Sequence, residues 1–256
     1  MNVVHLHVVP DDRRERRREQ AKQRFLDAAL RIVDRDGLEG ITMQAVADDL
    51  DCAVGTIYRY FPSKAALVSA LQGRAVDALR ASFATAQPSW QAALDAEDLP
   101  ADLASLVHLV AFGSFWAAAS VVYADEFELQ RQLLSAKVSL LTVEDVREVM
   151  PVARRLFDQP AMLLDQAVDV DAVEAGESRE RVLRWLAAMN GVLLLDHLAP
   201  VDRHLFRATH LTRCLTHDLL VGWGAERSHV EVAAGHVERL SALGPMAPPP
   251  DVPGFT

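Results

Sequence analysis

Aromatic side chains make up only 6% of the 256 residues, and there are just 12 glycines. Both are too few for the many tight turns of a propeller or a sandwich. Two cysteines, Cys52 and Cys214, cannot build a disulfide framework. The segment after Met1 lacks the basic-then-apolar layout of a secretory leader, so a cytoplasmic protein is expected. No alternating run is long enough for a sheet, and there is no internal repeat.

Half the residues are hydrophobic and 24% are charged, the composition of a folded chain with a buried core. The length suits one large domain or two small ones. Net charge is −10, unevenly placed: residues 1–80 carry 13 Lys+Arg against 12 Asp+Glu, and the remainder carry 13 against 24. The most basic stretch holds Arg13, Arg14, Arg16, Arg17 and Arg18, followed by Lys22 and Arg24. It reads either as a solvated helix face interleaved with Glu15 and Glu19, or as a contact surface for a polyanion.

From Leu103 to Ala124 no Asp, Glu, Lys or Arg occurs, which approaches the length of a bilayer span. Ser105, His108, Ser114 and Ser120 interrupt it, and Asp102 and Asp125 flank it in place of basic anchors. A buried central helix is the expectation, with no membrane partner.

Periodicity is helical nearly throughout. Phe25, Ala28, Ala29, Ile32 and Val33 form a stripe on a first helix from about Arg13 to Asp36, which Gly37 stops. Thr42 caps a short second helix ending near Leu50, and Val54, Ile57 and Phe61 mark a third, closed by Pro62. Ser63 caps a fourth that runs from Lys64 towards Ala86. Residues from Pro88 to Pro100 read as a linker. Further helices are expected over roughly 101–123, 125–141, 144–157, 160–174, 178–197, 202–222 and 226–243. The end from Gly244 holds five prolines and reads as a disordered tail. The fold class is all-α.

Two short helices joined by a brief turn, with long helices before and after, form the helix-turn-helix arrangement that reads duplex DNA. The stretch from Ile41 to Ala47, followed by Val54-Gly55-Thr56-Ile57-Tyr58-Arg59-Tyr60-Phe61-Pro62-Ser63-Lys64, resembles the N-terminal signature of the TetR family of transcriptional regulators. The resemblance covers about residues 20–70. It implies that Thr42, Thr56, Tyr58 and Lys64 touch the phosphate backbone, while Arg59 and Tyr60 meet bases or backbone. Gln44 and Val54 complete the DNA-facing set. Gly55, with no side chain, allows close approach of the backbone to DNA. Two departures matter. Asp51 stands where many members have Gly, although Asp tolerates a left-handed turn. Ala53 and Val54 replace polar residues and offer apolar contact, as to thymine methyls.

The resemblance divides the chain into a basic arm (1–19), a DNA-binding domain (20–70), a helical ligand-binding and dimerisation domain (71–243) and a Pro-rich tail (244–256). It implies a homodimer on a pseudo-palindromic double-stranded operator, released by a small effector, and the uncharged face on which His108 is the one obvious polar anchor points to a mainly apolar one. Trp185, Met189, Leu193, Leu205, Leu211, Leu215 and Leu219 are interface candidates, with packing inside the monomer as the alternative. His108, Phe112, Phe115, Trp116 and Tyr123, with Phe127, Met150 and Met162, are candidates for the effector pocket or simply for core. His210, Cys214 and His217 share a helix face, but three ligands on one helix do not close a tetrahedral site, so no metal is expected. His5 and His7 need no role. No catalytic motif is present, and neither an enzyme nor a cofactor is expected.

Overall fold

Helix boundaries fall where capping chemistry puts them in the computed structural model, which describes residues 12–135 and 143–249. Helix α1 (Asp12–Asp36) stops as Gly37 takes φ 74° and donates its N–H to Val33 O at 2.9 Å. Helix α2 (Met43–Asp49) opens behind Thr42, whose Oγ1 accepts the Ala45 N–H at 2.9 Å. Asp51 takes φ 48°, the left-handed turn expected of it, and α3 (Val54–Tyr58) follows. Ser63 Oγ accepts the Ala66 N–H at 2.9 Å and opens α4 (Lys64–Glu97).

The chain divides into two compact units, residues 1–72 with 132–149 and residues 73–131 with 150–256. The first is built on α1, whose buried Phe25, Ala29, Ile32 and Val33 meet a core shared with Val46, Ile57 and Phe61. An Arg31–Asp49 ion pair at 2.6 Å ties α1 to α2.

In the second unit α5 (Ala101–Val122) packs against α8 (Asp158–Asp169), α11 (Ala208–Gly222) and α12 (Arg227–Leu243). Eleven residues of α5 are buried, so its apolar character serves the core, although by length and composition it could cross a membrane. Helices α9 (Ser178–Leu193) and the short α10 (Arg203–Phe206) belong to this unit too, whereas α6 (Ala124–Ser135) and α7 (Val143–Arg154) each divide between the two units. No strand occurs among the described residues, in keeping with the all-α expectation. The end of the expected 125–141 helix, His5 and His7 lie outside the described residues.

Two expectations are corrected. The linker from Pro88 to Pro100 does not exist as such, because α4 runs to Glu97 with Pro88 inside it. An internal proline costs about 3 kcal/mol, but Trp90 and Leu94 beyond it are buried, and each contributes about 1.5–3 kcal/mol. His236 Nδ1, 2.8 Å from Glu97 Oε2, and Arg239, 3.3 Å from the same oxygen, hold the far end. Residues 244–249 of the tail pack on the fold, and the rest of it lies outside the described residues: Met246 and Ala247 are buried, and Pro248 O accepts hydrogen bonds from Tyr123 Oη at 2.7 Å and Ser82 Oγ at 2.8 Å. Proline content predicted disorder, but apolar burial between the prolines decides otherwise.

Candidate nucleic-acid interface

The third helix presents one face inward and the other to solvent. Ile57 is fully buried and Phe61 nearly so, which anchors the helix, while Gly55, Tyr58 and Arg59 are exposed and Val54, Thr56 and Tyr60 half-buried. Tyr58 is 50% exposed, so its phenol is free to reach outward. A Cβ added at Gly55 would meet nothing within 4 Å. The fold itself therefore does not require glycine there.

Thr42 is exposed at the start of α2. Its Oγ1 accepts the capping bond through a lone pair, so the hydroxyl hydrogen remains available to a phosphate oxygen. Gln44 Nε2 donates to Asp48 Oδ1 at 2.7 Å on its own helix, an arrangement that must open if Gln44 is to read a base. Lys64, half-buried in the first turn of α4, is held by interactions within the protein.

The arginines of the cluster lie on α1, which begins at Asp12. Helical spacing gathers Arg14, Arg17 and Arg18 around a hollow of about 660 Å³ that Arg59 and Tyr60 also line, with Glu15 as the sole acid on it among the described residues. Four guanidinium groups against one carboxylate make a strongly cationic surface, suited to bidentate hydrogen bonds with phosphate. Tyr60 serves both packing and surface: its ring centroid lies 5.1 Å from that of Phe25 while it borders the hollow. Phe61 meets Phe25 edge-on at 6.3 Å as core.

The remaining candidates sort by burial. Phe112, Phe115, Trp116 and Tyr123 lie in the core of the second unit, where Phe112 packs at 5.2 Å on Trp185 and Trp116 at 4.9 Å on half-buried Phe127. Met150 and Met162 are exposed instead. His108 Nε2 lies 2.9 Å from Gln91 Oε1, and burial pushes its pKa below the ordinary histidine value, against a smaller opposing effect of Asp95. The interface candidates Trp185 and Met189 are corrected to core, both at 0% exposure, with the Trp185 indole donating to Thr216 Oγ1 at 3.2 Å. Leu193, Leu211, Leu215 and Leu219 are half-buried and Leu205 is exposed. On the outer face of α9, Leu183 at 52% and, just beyond its end, Leu194 at 51% are the exposed leucines. Choosing the most hydrophobic face missed them; solvent-facing leucines at i and i+11 were the available signal.

His210 and Cys214 are neighbours, with Sγ 3.7 Å from Nε2, whereas His217 Nδ1 lies 3.2 Å from Asp218 Oδ1. Among the described residues no group of three potential metal ligands converges.

Residues 25–71 match the family model described as bacterial regulatory proteins, tetR family. The HTH-type transcriptional repressor KstR of Mycobacterium tuberculosis is 52% identical over 60 residues, which are 23% of this chain and 27% of that protein. The HTH-type transcriptional repressor DrrR1 of Streptomyces coeruleorubidus is 34% identical over 73 residues, 28% of this chain and 27% of that protein. The matched segment thus spans about a quarter of each of these relatives. A TetR-family transcriptional regulator from Agrobacterium tumefaciens has a similar fold, with TM-score 0.53 at 19% identity, over 81% of this chain and 100% of that one. Over its helix-turn-helix unit, the chain is similar to the tetR family of bacterial regulatory proteins.

Proposed function

We propose that the protein is a DNA-binding transcriptional repressor that acts as a homodimer on a pseudo-palindromic operator and is released by a small, mainly apolar effector. The observation that carries the reading is the cationic hollow in which Arg14, Arg17 and Arg18 meet Arg59 and Tyr60 beside the exposed face of α3. An α-helix enters the major groove, where a guanidinium reads guanine and a tyrosine or threonine hydroxyl holds phosphate. The arginines at the start of α1 add sequence-independent attraction.

Dimerisation is assigned to the outer face of α9 with the half-buried side of α11. Leu183, Ala187, Gly191 and Leu194 follow one another at helical spacing on α9 and its end, with Leu211, Leu215 and Leu219 on α11. A two-fold axis through these helices presents one α3 per half-site.

The effector is assigned to the second unit. Its anchor is His108, whose lowered pKa keeps the ring neutral at pH 7 and suits it to an uncharged polar group on an otherwise apolar ligand. Helix α4 carries the response, since it runs unbroken from Lys64 in the first unit to Glu97 in the second. A hundredfold loss of operator affinity needs about 2.8 kcal/mol of differential effector binding.

The test is a footprint of the full chain on the DNA upstream of its own gene. A protected, two-fold-related site, lost when Arg59→Ala replaces the parent, supports the reading. Equal binding to that region and to random duplex contradicts it.

A further inference from the structure

The second unit carries another cationic hollow, of about 570 Å³, around the start of α11. Arg203 and Arg207 stand on its wall with Arg213 and His210, and its apolar part is made by Ala117 and Ala118 of α5 and by Met246. The positive charge is only partly neutralised. Arg213 is matched by Glu238 at 2.9 Å, but Arg203 and Arg207 have no carboxylate partner among the described residues. The nearest acid along the chain is Asp202, whose Oδ1 already accepts the Leu205 N–H at 3.1 Å.

A separate observation points to a ligand. Thr212 lines the same hollow and is 1% exposed, yet its Oγ1 has no hydrogen-bond partner. A buried hydroxyl left unpaired costs about 1–3 kcal/mol, which an acceptor in the hollow would recover. At the start of helix α11, Asp196 Oδ1 accepts the Ala208 N–H at 3.0 Å. Thr209 and His210, both on the lining, stand in the same first turn, at the positive end of the helix dipole.

We propose that this hollow binds an organic anion, its carboxylate or phosphate head held by Arg203 and Arg207 and its compact apolar body lying over Ala117, Ala118 and Met246. Thr212 donates its hydroxyl hydrogen to the head group. The site is distinct from the face of α5 that carries His108, because nine residues place Ala117 roughly 180° around the helix from it. An inorganic ion would leave the apolar part uncovered, and a neutral lipid would leave two guanidinium groups unmatched.

Calorimetric titration of the full chain with octanoate and with octyl phosphate tests this, using octanol and inorganic phosphate as the separate halves. At least one of the two anions binds one per chain, about tenfold or more tighter than either half. Arg203→Ala with Arg207→Ala weakens that binding about tenfold or more, Thr212→Val weakens it about threefold, and the lysine pair Arg203→Lys with Arg207→Lys restores part of it. Arg184→Ala, which removes a surface charge not on the lining, leaves the affinity unchanged. Absence of binding by both anions overturns the proposal. So does a double alanine variant that binds like the parent, or one matched in its loss by Arg184→Ala.

Discussion

Gly113 faces Thr216 so closely that a Cβ on the glycine would lie 2.6 Å from the threonine Oγ1. That oxygen also accepts the Trp185 indole N–H, so a shift of Thr216 strains a buried hydrogen bond as well as the α5–α11 contact. Gly113→Ala is expected to destabilise the protein by about 1–3 kcal/mol, as overpacking does, despite the better helix propensity of alanine. Denaturant unfolding followed by tryptophan fluorescence checks it, and an unchanged midpoint contradicts the packing described.

Stability should depend on pH through His108. Its folded pKa lies below the ordinary value because burial disfavours the charged ring. The folded chain then resists a proton that the unfolded chain accepts. The contribution is fully present above about pH 6.5 and is lost as pH falls from there towards the folded pKa. His108→Gln is expected to narrow the difference in melting temperature between pH 7.5 and pH 5.5. An equal difference in both proteins would remove His108 from the account.

The dimer face separates from the core by mutation. Leu183→Glu with Leu194→Glu alters two exposed side chains and is expected to leave the folded unit intact while shifting sedimentation of the full chain to monomer. Trp185→Ala instead removes a core ring and should cost about 3–5 kcal/mol. A double glutamate variant that sediments like the parent would contradict the assigned face.

Gly55→Ala divides folding from recognition. The open space around this position predicts stability unchanged or raised by up to about 1 kcal/mol. DNA affinity, however, should fall, because a methyl group now stands where the duplex backbone approaches. Thermal melting beside an anisotropy titration checks both halves, and loss of stability would contradict the geometry.

Much of the first unit was legible because its signals are local. Thr42 and Ser63 cap helices through their own side chains, Gly37 and Asp51 adopt the turns their chemistry permits, and the stripe from Phe25 to Val33 faces the core. The second unit was less legible because its contacts are long-range. Pro88 reads locally as a break, yet Trp90 and Leu94 carry the helix on by burial. Proline content in the tail hides Met246 and Ala247, which pack on a core assembled from distant segments. The aromatic face of α5 and the pair Trp185 and Met189 read equally well as ligand wall, interface or core, since hydrophobicity marks burial without saying against what. The hollow formed by Arg203, Arg207 and Thr212 joins residues whose common wall exists only after α5 and the tail come together.

The central claim is that α3 and the first turns of α1 form one cationic surface that grips a duplex. Fluorescence anisotropy of the full chain on its upstream duplex, repeated across salt concentrations, tests it most directly in the Arg14→Ala, Arg17→Ala, Arg18→Ala triple variant. The account predicts a slope of log affinity against log salt shallower by about one for each phosphate contact removed. A slope and affinity identical to those of the parent would contradict it.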